Sequence, residues 1–207
     1  MFLINRIVVI VKLNFDEFAG AILKISPLTP EIKGPLLIEI EPFKDKRGFF
    51  TERFNLAKFK EAGLTAEFVQ DNHSMSQPQV LRGIHLQFDP PQEKLIWVAS
   101  GKIFDVIVDC RPSSPTAFKV ASIILDSNTI SQLLWIPTGF AHGFCVLDDK
   151  PAHVIYKMTS FYNPHGETGL LWNDPDLKIN WPIKNPILSA RDQNLLKVKD
   201  FRERFFK

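Results

Sequence analysis

Apolar residues in this chain come in short runs. Leu36–Ile40, Leu95–Val98, Lys102–Asp109, Val120–Leu125, Leu133–Ile136, Phe144–Leu147 and Ala152–Thr159 are strand-like, and Phe49–Phe54 resumes one after a charged turn at Glu41–Gly48. The breaks between them carry turn formers, at Asp89–Lys94, Ser100-Gly101, Pro112–Pro115, Asp126–Asn128 and Pro137-Thr-Gly139. Short runs punctuated in this way predict strands, with Lys102–Asp109 joined to the strand before it at Ser100-Gly101, and Phe144–Leu147 and Ala152–Thr159 forming the last pair. Helical spacing is rarer. Asn55 can cap a helix to Ala62, with Leu56 and Phe59 on one face and Gly63 fitting the stop. Near the C-terminus Val198, Phe201 and Phe205 recur at three- and four-residue spacing, which predicts a short amphipathic helix packed on the body. At the other end Ile7–Val11 suits an edge strand. Asn14-Phe-Asp-Glu17 then suits a capped helix start, with Phe15, Phe18, Ala19 and Ile22 behind it. About a dozen short strands and few helices predict an all-β sandwich or barrel.

One stretch breaks the pattern of apolar strands and polar turns. Phe68–Gln87 holds Gln70, Asp71, Asn72, His73, Arg82, His85 and Gln87. Its apolar pairs, Phe68-Val69 and Val80-Leu81, flank a turn at Ser76–Gln79, so the segment predicts a hairpin. In its second arm, alternation puts Arg82, Ile84 and Leu86 on one face and Gly83, His85 and Gln87 on the other. Polar groups on a strand inside a small barrel are costly unless they meet partners or a ligand. Two readings follow, a solvated strand face or a strand that lines a pocket. A second polar cluster, Trp135–Phe144, brackets His142 between Gly139 and Gly143, and such glycines let a chain approach a cavity closely. A lone histidine is as readily structural, but His85 on a strand of similar character favours a shared site.

Composition narrows the classes. The 207 residues are 45% hydrophobic, enough for one sizeable domain with its own core and too apolar for disorder. Net charge is +2, from 25 basic and 23 acidic residues, which gives no argument for nucleic acid or a membrane surface as partner. Cys110 and Cys145 are the two cysteines and form no CxxC, so neither a disulfide scaffold nor a structural zinc site is indicated. Ile7–Val11 is too short to span a bilayer and no small-residue cleavage pattern follows it, which favours a cytoplasmic location.

Pro137-Thr-Gly-Phe-Ala-His142 resembles the second motif of the cupin barrels. The first cupin motif wants His-x-His with a glutamate soon after, to hold a metal. Here it reads His85-Leu-Gln87, with Glu93 too late, and two histidines with an amide make a poor metal site. Over residues 34 to about 192 the chain resembles one cupin family, the dTDP-4-dehydrorhamnose 3,5-epimerases (RmlC). The resemblance rests on Asp45–Phe50, Phe68–Ser74, Leu81–Gln87, Gly101–Asp109, Trp135–Phe144, Ile155-Tyr-Lys157 and Trp172–Pro175, in family order and near-family spacing. It implies an RmlC-like cupin, a double-stranded β-helix or jelly-roll barrel, spanning residues 34–207 behind an N-terminal extension at 1–33.

The resemblance also implies a chemistry. The substrate is a dTDP-linked 4-keto-6-deoxy sugar whose protons beside the ketone are acidic because an enolate results. Epimerisation needs a base, an acid on the opposite face and a cation near the oxyanion, and no cofactor. By resemblance His85 is the base, Asp192 in Leu188-Ser-Ala-Arg-Asp192 its carboxylate partner, Tyr156 the acid, and Lys94 and His142 neighbours of the sugar and its ketone. Arg47 and Arg82 match phosphate and sugar contacts, Gln70, Asn72, Glu52, Glu167 and Arg191 other ligand contacts, and Tyr162 the aromatic that stacks on thymine. Three departures stand out. Glu93 sits beside Lys94 where the family commonly has glycine, Phe161 replaces a first tyrosine, and Met75 replaces a residue that is often polar. The family is homodimeric, strands of one subunit completing the other's barrel. An epimerase acting at one carbon, or on another nucleotide sugar, and a non-catalytic sugar-nucleotide-binding cupin are the alternatives, the last expected to lack the base or the acid.

Overall fold

Alternation along the strands sorts the computed structural model, which describes residues 9–11, 23–129 and 131–206, into two facing sheets and a small hairpin. The larger sheet has seven strands, in the order β1 (Val9–Val11), β2 (Leu23–Pro27), β3 (Leu36–Ile40), β11 (Gln132–Ile136), β8 (Lys94–Ser100), β13 (Ala152–Met158) and β6 (Gln70–Ser76). The smaller has five, β10 (Val120–Asp126), β9 (Lys102–Asp109), β12 (Phe140–Val146), β7 (Leu81–Gln87) and β14 (Glu167–Gly169). Among the described residues, β4 (Phe43–Asp45) and β5 (Gly48–Phe50) pair only with each other. The two-sheet, antiparallel, jelly-roll-like arrangement matches the all-β cupin expectation.

Residues of both sheets meet in the interior. Ile96 and Val98 of β8, Leu134 and Ile136 of β11 and Val154 of β13 face Ile103 and Ile107 of β9 and Phe144 and Val146 of β12. The alternate residues face outward and are covered as well. Leu95, Leu133 and Trp135 pack under α1 (Leu56–Glu61) and Phe68, with Leu23, Ile25, Ile38 and Ile40 beside them. Val106, Val108, Ile84 and Leu86 pack under α2 (Val198–Phe205) through Val198 and Phe201. Strands covered on both faces explain why the central runs read as nearly continuous apolar stretches.

Both helices follow from local chemistry. The Asn55 side chain accepts hydrogen bonds from the Ala57 and Lys58 N–H groups at 3.1 and 3.3 Å, and Gly63 takes a φ of +85° just past the end. Phe59 is buried, whereas Leu56, expected on the same face, stays exposed. At α2 the Asp174 carboxylate accepts the Val198 N–H at 2.8 Å, satisfying a first-turn donor. Among the described residues no helix is long and apolar enough to cross a membrane.

Several expectations need correction. Phe68–Gln87 is no hairpin: β6 pairs with β13 in one sheet, and β7 with β12 and β14 in the other. The turn between them carries the chain from sheet to sheet. Likewise β12 and β13 do not pair with each other, and β8 and β9 lie in different sheets. The charged turn at 41–48 is itself part of the β4–β5 hairpin, and the strand expected at Phe49–Phe54 ends at Phe50. At the N-terminus, Val9–Val11 is the outermost strand, and β2 joins the main sheet against β3. The helix expected after Asn14 lies outside the described residues.

Candidate active site

The site is built on strands whose interior faces carry polar residues among apolar ones. On β7, a bulge breaks the alternation. His85 pairs in register with His142 of β12, but Arg82, not Gly83, pairs with Phe144. The extra residue lies at Gly83-Ile84, where a Cβ on Gly83 would sit 2.7 Å from the Cα of Gly143. Ile84 and Leu86 therefore face the outer cluster under α2. Arg82, expected on their face, instead bonds the Ser76 hydroxyl at 2.8 Å and the Met75 carbonyl at 3.2 Å.

His85 and Asp192 meet although they are far apart in sequence. Asp192 opens a short 3-10 helix, Asp192–Asn194, and its Oδ1 lies 2.6 Å from His85 Nε2. Burial works to raise the Asp192 pKa. The hydrogen bond and charge of His85, with Ser189 and the Gly83 backbone, outweigh it and hold the carboxyl below its ordinary value. The imidazole is about one-quarter exposed, at 23%, and its Nδ1 makes no hydrogen bond among the described residues. A buried carboxylate thus orients a reachable imidazole.

A second imidazole–carboxylate pair stands beside the first. His142 Nε2 lies 2.8 Å from Asp105 Oδ2, and both side chains are buried. Tyr156 on β13 faces this pair, its ring 6.4 Å from that of His142, and its hydroxyl lies 3.1 Å from Ser74 Oγ. Burial raises the Tyr156 pKa, with the nearby Asp105 charge adding and Ser74 and Arg82 opposing, so the phenol keeps its proton. Lys94 is buried at the start of β8. Burial lowers its pKa to about 8, while the charges of Glu167 and Asp105 resist. Glu93, adjacent in sequence, forms no pair with it; burial raises the Glu93 pKa.

A third group continues from this core. Arg191 Nη2 lies 2.6 Å from Glu167 Oε2, and its Nη1 donates to the Tyr162 hydroxyl at 3.4 Å. The Tyr162 N–H donates to Gln70 Oε1 at 2.9 Å, and Gln70 Nε2 donates to Asn72 Oδ1 at 3.0 Å. Tyr162 itself is half exposed and free to receive a flat partner.

The predicted residues therefore fall into two places. His85, Asp192, His142, Tyr156, Lys94 and Arg82 come together, with Glu167, Arg191, Tyr162, Gln70 and Asn72 at their side. Arg47 and Glu52 do not join them. Arg47 pairs with Asp45 across the β4–β5 turn, and Glu52 with Lys58 at 2.9 Å. Both line a separate cavity of about 820 Å³, with Phe43, Phe49 and Phe50 of the same hairpin.

One residue escaped the sequence reading and another has a different task from the one expected. Asp105 was hidden in an apolar strand, although alternation places it on the face of Ile103 and Ile107, where an acid demands a partner. Gln87, expected to share the pocket face with His85, has a structural task. Its Nε2 donates to the Pro90 and Phe161 carbonyls and Ser160 Oγ, and its Oε1 accepts the Asn163 N–H at 3.0 Å. With this amide engaged and His85 held by Asp192, the His85-Leu-Gln87 motif does not offer the cupin ligand set. Among the described residues no group of three or more His, Cys, Asp or Glu is placed to hold a metal ion.

Comparisons with known proteins give the family. The family model for dTDP-4-dehydrorhamnose 3,5-epimerase matches residues 29–200. The dTDP-4-dehydrorhamnose 3,5-epimerase of Shigella flexneri is 49% identical over 172 residues, covering 82% of this chain and 94% of that one. The crystal structure of dTDP-6-deoxy-D-glucose-3,5-epimerase from Legionella pneumophila Philadelphia 1, in complex with dTDP-4-keto-L-rhamnose, superposes with a TM-score of 0.73 at 38% identity, covering 89% of each chain. A dTDP-4-dehydrorhamnose 3-epimerase of Streptomyces niveus is 36% identical, covering 83% of each chain. With a family match over most of its length and a barrel that gathers the family's motif residues, the chain belongs to the dTDP-4-dehydrorhamnose 3,5-epimerase family.

Proposed function

We propose that the protein epimerises both carbons flanking the ketone of dTDP-4-dehydro-6-deoxy-D-glucose, giving dTDP-4-dehydro-L-rhamnose. The observation that carries this reading is the His85–Asp192 pair at 2.6 Å, a base held by a buried carboxylate inside the barrel. His85 removes the proton beside the ketone, and the electron pair passes to the carbonyl oxygen as an enolate. Asp192 stabilises the imidazolium that forms. Lys94 supplies positive charge, and His142 a hydrogen bond, to the oxyanion. Tyr156, kept protonated by burial, returns a proton to the opposite face, and the phenolate left behind lies in the field of Arg82.

The nucleotide end falls to the third group. Tyr162 offers a face for thymine, Gln70, Asn72, Glu167 and Arg191 polar contacts, and Arg82 and Arg47 cations for the two phosphates. The reading includes a homodimer in which strands of one subunit complete the other's barrel. The exposed Phe49 and Phe50 on the β4–β5 hairpin support such an interface. It also includes a cytoplasmic location, where activated sugars for surface polysaccharides are assembled. A single-carbon epimerase is the second reading, favoured by the similarity to the Streptomyces niveus 3-epimerase.

Solvent exchange tests both. The protein is incubated with dTDP-4-dehydro-6-deoxy-D-glucose in D₂O, beside His85→Ala, and the sugar protons are followed by NMR. Deuterium at both flanking carbons, lost in the variant, is the expected result. Deuterium at one carbon selects the second reading, and none with the unmodified protein rejects the substrate.

A further inference from the structure

We propose that Phe205, in the last turn of α2, is a positioning residue for the nucleotide end of the site: through Phe88 it props the two hydrogen-bonded loops, 88–92 and 160–166, that present Tyr162. The proposal rests on the epimerase reading above for its effect on the substrate, but not for the state of the loops themselves.

The argument starts from the loop that carries Tyr162. Phe161 and Tyr162 are 69% and 51% exposed, so their side chains supply little apolar contact to hold it. Hydrogen bonds to the neighbouring loop hold it instead. The Phe88 and Asp89 N–H groups donate to the Gly166 carbonyl at 2.8 and 3.3 Å. Asn163 Nδ2 donates to the Asp89 carbonyl and Gln92 Nε2 to the Ser160 carbonyl, both at 2.8 Å. The backbones are in contact, because a Cβ on Gly166 would lie 1.6 Å from the Asp89 carbonyl oxygen. Loops packed this closely transmit a shift from one to the other. Glu167 follows at once in β14, with Arg191 bridging it to the Tyr162 hydroxyl.

Behind the first loop stands α2. The Phe88 ring lies 5.2 Å from that of Phe205, tilted by 58°. Phe205 in turn lies 4.7 Å from Phe201, which belongs to the outer core cluster, and the Arg204 guanidinium covers it at 5.3 Å. A line of rings, Phe201, Phe205 and Phe88, therefore runs from the core to the loops. The helix does not need the last of these contacts to stay in place. Val198 and Phe201 are buried and seat it, and the Leu171 N–H donates to the Leu196 carbonyl just before its start. Phe205 reaches past that seat to a residue that is itself 38% exposed. A contact so near solvent adds little to global stability, and what it supplies is local rigidity.

The test compares Phe205→Ala, Phe205→Leu and Phe88→Ala with the unmodified full-length protein. Hydrogen exchange is read by mass spectrometry without ligand. Phe205→Ala should exchange faster in 88–92 and 160–166 and unchanged in β9 and β12, with Phe205→Leu between it and the parent. Titration calorimetry with dTDP should show Kd raised about threefold to tenfold in Phe205→Ala, the cost of ordering a loosened loop. On the nucleotide sugar KM should rise in step while kcat stays within about twofold. Phe88→Ala removes the same contact from the other side and keeps the reading if Phe205→Ala unseats the helix. It should give the same loss, and the double variant should add nothing to it. Unchanged exchange in 160–166 in both alanine variants would overturn the proposal. So would faster exchange spread evenly over the barrel, or a fall in kcat with KM kept. Loosened loops in a protein whose parent does not bind dTDP would leave the prop standing and reject the nucleotide reading instead.

Discussion

Lys94 links activity to pH through one buried ammonium. Its pKa in an unfolded chain is about 10.4, and burial lowers it to about 8 in the fold. As pH rises through about 8 the folded protein loses the proton, and with it the charge offered to the oxyanion. The rate constant kcat/KM should therefore fall on the alkaline side with an apparent pKa near 8, a limb that Lys94→Gln should lack. The stability effect has the opposite sign. Between about 8 and 10.4 the unfolded chain binds more protons than the folded one, so this group makes unfolding harder as pH rises. A denaturation series from pH 7.5 to 9.5 should show a smaller gain in Lys94→Gln than in the parent, and equal slopes would remove Lys94 as the cause. Asp192→Asn tests the other pair. It keeps the shape but loses the charge that stabilises the imidazolium, so kcat should fall by about 10²- to 10⁴-fold with thermal stability little changed. Retention of more than a tenth of the activity would exclude Asp192 as partner of the base.

At the scale of elements, the strands were legible in the sequence and their partners were not. Leu36–Ile40 and Lys102–Asp109 match the observed strands to the residue, because a short apolar run between turn formers is a local signal. Pairing is settled by burial across the whole chain. Asn72 pairs with Tyr156 and His85 with His142, far along the sequence, while adjacent strands part company into different sheets. A turn signal such as Ser76–Gln79 marks a change of direction and cannot say whether the chain returns beside itself or crosses to the facing sheet. The same limit hid the bulge in β7, since alternation assumes an unbroken register. Strand patterning singled out Arg82, His85 and His142, whereas Lys94, Tyr156 and Asp192 were legible only through the motif resemblance; geometry then separated Gln87 from them. Gln87 pins the segment from Ser160 to Asn163, which carries Tyr162. Gln87→Leu fills the space but leaves the Phe161 carbonyl and Asn163 N–H without this partner, at a cost of about 1–3 kcal/mol. Its signature should be a KM for the nucleotide sugar raised several-fold with kcat nearly kept. A fall in kcat alone would return Gln87 to the chemistry.

At the scale of the molecule, the unfinished surface is the one that matters. Phe49 and Phe50 are 54% and 64% exposed on the second strand of a hairpin that pairs with no other strand among the described residues, and β6 ends its sheet with an open edge. Exposed aromatic pairs and open edges are features that a partner usually covers. The hairpin also carries Arg47, which meets only its neighbour Asp45 among the described residues, although the family resemblance gives it a phosphate to hold. A homodimer accounts for these observations together, since docking would bury the phenylalanines and bring the arginine to a ligand. Light scattering on the purified protein should then give twice the chain mass of 23.7 kDa at micromolar concentration. Replacing both Phe49 and Phe50 by Asp should shift it toward the single-chain mass, with the β-sheet circular dichroism retained because neither side chain belongs to a core cluster. A parent protein at 23.7 kDa would reject the homodimer. A variant that remains dimeric would move the interface off the hairpin, and Arg47 would then have to be dropped from the phosphate contacts.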